Sequence, residues 1–211
     1  MNKLWVFGDS MTYGHGCRPD GPLNEYYYNY KKEGDDIWPN IVANNFNLKC
    51  VNMAIGGCSN DIIIDEVIKN FDKINVNDIV IIGKSFSQRY DIPKPKSNKW
   101  FTVIGHTNSE YIEMIIKLYG KKIFELLINF CYHFSQNEKY KIRQNNRIEF
   151  LGKLFKSKNI KCIIWGIEEN KIDLDRIIYA TNGKIKDYHF SFYGHKQFAD
   201  KIINKLNNKL L

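Results

Sequence analysis

Short, continuous apolar runs recur along this chain of 211 residues, each followed by a small-residue turn and then a stretch of helical period. The clearest is Ile79-Val80-Ile81-Ile82, entered from Asp78 and left at Gly83. A run without polar alternation belongs to a strand covered on both faces, as in a parallel sheet. Leu4 to Phe7 and Ile160 to Trp165 also read as buried strands, Leu48 to Asn52 as a second short strand, and a weaker strand is expected at Arg176 to Tyr179. Parallel neighbours need long crossovers, which helices supply.

The helical stretches fall between these runs. Asp36-Ile37-Trp38-Pro39 reads as a helix start, an acidic cap followed by proline in the first turn, and the helix is expected to end near Asn45. Ser59 or Asn60 caps a second helix, whose Ile62, Ile63, Val67, Ile68 and Phe71 keep a helical period. Long helices are expected over Ser109 to Phe134 and Glu138 to Ser157, and a last one over Ser191 to Leu210, with Phe192, His195, Phe198, Ile202 and Leu206 on one face. Tyr13 to Asp36 and Lys84 to Thr107 read as irregular loops. The alternation predicts a parallel sheet with helices on both faces, in one domain spanning residues 1–211. Binding sites in such sheets lie beyond the carboxyl ends of the strands. Gly8-Asp9-Ser10, Gly56-Gly57-Cys58 and Gly83-Lys84-Ser85 are all expected there.

An apolar fraction of 44% suits a globular chain. The formal charge of +8 admits an acidic partner, but the lysines are scattered and no nucleic-acid motif accompanies them, so a solvated surface is expected and no nucleic acid. Five cysteines show no paired spacing; Cys50 and Cys162 read as small core residues. The four-residue apolar run near the start is too short for a signal peptide, and no segment is long and apolar enough to span a membrane. A cytoplasmic protein without membrane insertion is the expectation.

Chemistry enters with two clusters. Ser10 follows the first strand, and Asp187-Tyr188-His189 lies near the other end. Together they supply a hydroxyl, an imidazole and a carboxylate, the groups that nucleophilic acyl transfer needs. His189 is the best base for Ser10, and Asp187 is placed to hold its ring. The N–H of Ser10 and that of Gly57 are candidate donors to an oxyanion. His15, His106 and His133 lack metal-ligand spacing, so no metal is expected. His195 reads as a packed residue behind the site. Tyr26-Tyr27-Tyr28 and Tyr30 are either loop packing or a lid over the substrate. Gly14-His15-Gly16 and Gly56-Gly57 lack the lysine and Ser/Thr of a phosphate loop.

Gly8-Asp9-Ser10 after an N-terminal strand, with Asp187-Tyr188-His189-Phe190-Ser191 before a last helix containing Gly194-His195, resembles the SGNH/GDSL hydrolase superfamily over nearly the whole chain. The resemblance implies a three-layer α/β/α sandwich with a flavodoxin-like parallel sheet. It matches Ser10 to the nucleophile, Asp187 and His189 to the acid and base, and Asn52-Met53-Ala54-Ile55-Gly56-Gly57 to the block whose glycine, here Gly57, serves the oxyanion. The family's third block is usually Gly-x-Asn-Asp; this chain has Gly83-Lys84-Ser85-Phe86. Ser85 or Asn60 is then the candidate replacement for the missing asparagine, and Asp9 is grouped with them at the substrate-binding end. Residues 83–90, with Arg89, are similar to divergent members carrying a serine/threonine-rich run and an arginine. Asp187 and His189 are also one residue closer than is common.

The resemblance implies a serine esterase without cofactor, acting on a small-molecule or glycan ester, with an O-acetylesterase foremost. An acyltransferase of the same chemistry, and a catalytically weak or inactive module that binds glycans, are the alternatives. Substrate, acyl length and oligomeric state are not readable from the residues.

Overall fold

The computed structural model describes residues 1–14, 37–96, 100–104, 109–135, 138–166, 179–182, 185–190 and 192–208. Four parallel strands form its centre: β1 (Lys3–Phe7), β2 (Lys49–Asn52), β3 (Ile79–Lys84) and β6 (Lys161–Gly166), in the order β2-β1-β3-β6. The register runs Val6↔Asn52, Phe7↔Ile82 and Ile82↔Ile164, so the carboxyl ends of the strands finish together.

Strand alternation divides the core in two. Leu4, Val6, Ile79, Ile81, Ile163 and Trp165 point to one face. There they meet Trp38, Val42 and Ala43 of α2 (Trp38–Asn45) and Phe198, Ala199, Ile202 and Leu206 of α7 (Phe192–Asn207). Trp5, Phe7, Val80 and Ile82 point to the other face, against Ile63, Ile64 and Val67 of α3 (Asn60–Asn70) and Ile148, Leu151 and Phe155 of α6 (Glu138–Ser157). The result is the expected three-layer α/β/α sandwich, and the unbroken apolar runs Leu4–Phe7 of β1 and Ile79–Ile82 of β3 fit a sheet with each face roofed by helices.

The buried Asp78 ties the sheet's entry edge. Its carboxylate accepts from the Lys3 N–H at 2.8 Å, the Trp5 indole at 3.0 Å and the Asn75 N–H at 3.0 Å.

Several expectations need correction. The stretch expected as a loop over Lys84 to Thr107 holds an antiparallel hairpin, β4 (Arg89–Pro93) and β5 (Trp100–Ile104), and Lys84 closes β3; residues 97–99 and 105–107 lie outside the described residues. Tyr90 and Ile92 lie opposite Val103 and Phe101, and this face packs on Ile115, Tyr119, Phe124, Leu127 and Tyr140. In β4 the apolar Tyr90 and Ile92 alternate with Arg89 and Asp91, which turn to other partners, so no continuous apolar run marks the strand. The long helix expected over 109–134 is two helices, α4 (Ser109–Tyr119) and α5 (Lys121–Ser135). Gly120 between them has φ +85°, a left-handed conformation that stops the first helix.

The helix at Trp38 has Ile37 as its N-cap and no side-chain cap of its own; instead the Trp38 N–H donates to Nδ1 of the buried His195 at 3.3 Å. Of the two candidates at α3, Ser59 is the cap, accepting from the Asp61 and Ile62 N–H groups at 3.1 and 3.3 Å. Of the weak strand expected at 176–179 only Tyr179 is among the described residues, and it opens β7 (Tyr179–Asn182), which pairs antiparallel with β8 (Ile185–Phe190). Cys50 and Cys162 are only partly buried, although burial raises the Cys50 thiol to about 12. Among the described residues no helix is long and apolar enough to cross a membrane.

Candidate active site

The polypeptide leaves β1 at Gly8 and turns at once into α1 (Ser10–Tyr13), with Asp9 as N-cap. Asp9 has an extended backbone (φ −95°, ψ −153°), and its Oδ1 accepts from the Met11 N–H at 3.1 Å. The strand therefore ends by handing Ser10 to the first position of a helical turn. Ser10 is buried.

His189 stands on β8, and its Nε2 lies 2.9 Å from Ser10 Oγ across 179 positions of sequence. With the ring neutral and its Nε2 unprotonated, the hydroxyl donates to it, the arrangement a general base requires. Phe190, the next residue, is fully buried and stacks on Trp165 with ring centroids 6.2 Å apart, tying this end of β8 to the core. His195 packs edge-on against the same Phe190 ring, 5.4 Å away. Asp187 lies on β8 two residues before His189; its side chain lies outside the described residues.

The other two strand ends are stitched to the first. The Ile55 N–H donates to the Gly8 carbonyl at 3.0 Å, and Asn52 Nδ2 donates to the Thr12 carbonyl at 3.0 Å. Gly57 has φ +76°, and a Cβ built there would meet nothing within 4 Å, so the backbone stands beside open space. Cys58 is buried against Gly8, and burial pushes its thiol pKa well above the ordinary value, with the Asp9 charge adding to the shift.

Ser85 and Asn60 are both committed to partners. Asn60 Oδ1 accepts from the Ser85 N–H at 2.7 Å, and its Nδ2 donates to the Ser85 carbonyl at 3.0 Å and, more loosely, to Gln144 Oε1 at 3.4 Å. The Ser85 hydroxyl is 2.8 Å from the Cys58 carbonyl and 3.1 Å from Asp9 Oδ2.

Arg89, the first residue of β4, completes this cluster. Its Nη1 donates to Ser85 Oγ at 2.7 Å, to Asp9 Oδ2 at 3.0 Å and to the Cys58 carbonyl at 3.0 Å. One guanidinium nitrogen thus joins the segments that follow β1, β2 and β3. Arginine is suited to this because its charge persists when buried and its nitrogens serve several oxygens. The sequence signal for Arg89 was only its place in residues 83–90; its partners become visible when the hairpin is recognised.

Tyr26, Tyr27, Tyr28, Tyr30, His15, His106 and Cys17 lie outside the described residues, and His133 is exposed on α5. Among the described residues no group of three or more His, Cys, Asp or Glu is arranged to hold a metal ion.

No protein-family model matches the sequence, and no curated protein matches it. Solved structures do. The chain is similar in structure to G-D-S-L lipolytic proteins. A member of that family from Veillonella parvula is 16% identical, with 97% of each chain covered and a TM-score of 0.39. A lipase/acylhydrolase from Enterococcus faecalis is 12% identical, with 99% of this chain and 97% of that one covered and a TM-score of 0.45. A family two carbohydrate esterase from Clostridium thermocellum, solved with cellohexaose, is 14% identical over 99% of this chain and 64% of its own, with a TM-score of 0.47. These likenesses are distant, and the functional reading rests on the chain's own residues.

Proposed function

We propose that this protein is a serine hydrolase that cleaves an ester through an acyl-enzyme. The observation that carries this reading is the 2.9 Å approach of His189 Nε2 to Ser10 Oγ at the carboxyl end of a parallel sheet. Ser10 Oγ attacks the acyl carbonyl carbon while His189 takes its proton. The tetrahedral adduct collapses as His189 returns that proton to the departing alcohol. Water then adds to the acyl-enzyme by the same base, and the acid leaves with Ser10 restored. Asp187 supports the imidazolium in this scheme.

The oxyanion is assigned to the N–H groups of Ser10 and Gly57. The bonds that Ser85 and Asn60 already make favour a supporting role for both: they hold the Cys58 and Asp9 segments in place. A small acyl group on a carbohydrate, with an acetyl ester foremost, follows from the motif resemblance and not from the geometry. An acyltransferase differs only in the acceptor that replaces water. The second reading, an inactive glycan-binding module, is favoured by one observation: the two side chains nearest in kind to the missing asparagine are spent on internal bonds.

The test is hydrolysis of p-nitrophenyl acetate and butyrate by the purified protein and by Ser10→Ala and His189→Ala. Rates in both variants are expected to fall by about a thousandfold or more, as removal of a nucleophile or its base does elsewhere. Equal rates in all three proteins sink the hydrolase reading and leave the module.

A further inference from the structure

A groove of about 550 Å³ lies between α3, the β4–β5 hairpin, α5 and α6, and neither Ser10 nor His189 lines it. Four aromatic rings wall it: Tyr90, Trp100, Phe130 and Tyr140. Tyr90 and Tyr140 stack with centroids 5.1 Å apart, and Phe130 meets Tyr90 edge-on at 6.0 Å, so three of the rings form one continuous surface. Trp100 is 56% exposed and Phe130 48% exposed, large apolar areas for a surface to leave in water.

Three carboxylates converge on the same groove, Asp61, Asp65 and Asp91, and no Lys, Arg or His lines it among the described residues. They gather against the balance of the chain, whose formal charge is +8. Asp61 is partly met, by Arg147 and by the Tyr140 hydroxyl at 3.0 Å. Asp91 receives the neutral hydroxyls of Ser59 and Thr102. Burial holds the Asp91 carboxyl above its ordinary pKa against the lowering by the Ser59 and Thr102 hydroxyls, and the Asp61 and Asp65 charges add to the rise, so a cation beside the three carboxylates is electrostatically favoured.

We propose that this groove is a binding site for a small organic cation of the alkylammonium class, its charge facing the three carboxylates and its alkyl groups against the aromatic wall. Anions are repelled by the lining. A neutral polar ligand would leave the negative charge of the lining uncompensated, whereas a cation with an apolar surface meets both the carboxylates and the rings. The site is independent of the Ser10–His189 pair and of the hydrolase reading.

The test is calorimetric titration of the full chain with choline chloride, beside its uncharged isostere 3,3-dimethylbutan-1-ol. Saturable choline binding is expected, at least about tenfold tighter than the isostere, since only the cation gains from the ring faces and the carboxylates. Asp65→Asn and Trp100→Ala, both at exposed positions, are expected to weaken choline about fivefold or more each while keeping the wild-type urea midpoint. Ser10→Ala is expected to bind choline as the wild type does, which separates this site from the proposed active site. Equal affinity for the isostere overturns the proposal. So does choline binding that neither groove variant changes, or an absence of saturation.

Discussion

At the scale of single residues, the buried Asp9–Arg89 pair is the most consequential contact outside Ser10 and His189. The two side chains are 2% and 10% exposed and 3.0 Å apart. A buried charge that loses its partner is costly, about 3–5 kcal/mol in comparable cases. Arg89→Met leaves Asp9 in that position and also removes a donor from Ser85 and from the Cys58 carbonyl. The variant is expected to lose stability of about that size in urea unfolding. Asp9→Asn/Arg89→Met, which removes both charges, is expected to recover part of the loss; a single variant as stable as the wild type would mean that the pair adds nothing. None of these partners was legible in the sequence. Ser10 and His189 stood out because each sits in a short motif, but a motif does not say which oxygen a guanidinium will reach. The same gap explains why Ser85 and Asn60 read as equal candidates: their bonds to each other and to Cys58 depend on how three strand ends meet.

The elements show a parallel division. Strands buried on both faces, β1 and β3 above all, announced themselves as unbroken apolar runs, and α3 by its period. The β4–β5 hairpin did not, because its polar face is used too: Arg89 and Asp91 on that strand bond to Asp9 and to Ser59. Gly120 hid within an otherwise continuous helical period, since glycine is tolerated in a helix and only its positive φ reveals the break. Docking of the hairpin on α3 carries a pH dependence with a definite sign. Burial raises the Asp91 carboxyl from 3.8 in the folded state, against lowering by the Ser59 and Thr102 hydroxyls. The folded state therefore holds the Asp91 proton more tightly than the unfolded chain. The stability this contributes is present in full below the ordinary carboxylate value and is lost as pH rises through the raised one. Compared with Asp91→Asn, which cannot ionise, the wild type is expected to lose ground in urea unfolding as pH increases from about 3.5 to 7. Parallel curves for the two proteins would show that Asp91 titrates normally.

At the scale of the whole molecule, the sheet divides two cores and the proposed active site draws on both. Its nucleophile leaves β1, whose alternate residues feed each side. Its base is attached through Phe190 to the aromatic cluster of Trp38, Trp165 and Phe198 on the α2–α7 face, where Trp165 and Phe198 have centroids 4.6 Å apart. Arg89 reaches the same strand ends from the opposite face, through a hairpin packed on the other helices.

The span of 179 positions between Ser10 and His189 also has a consequence in time. Contacts between distant parts of a chain form late, because closing a long loop costs entropy before any contact rewards it. Urea-denatured protein diluted into buffer is therefore expected to recover tryptophan fluorescence first or simultaneously, and hydrolysis never earlier. A catalytic signal that led the fluorescence would mean that the pair assembles before the core around it.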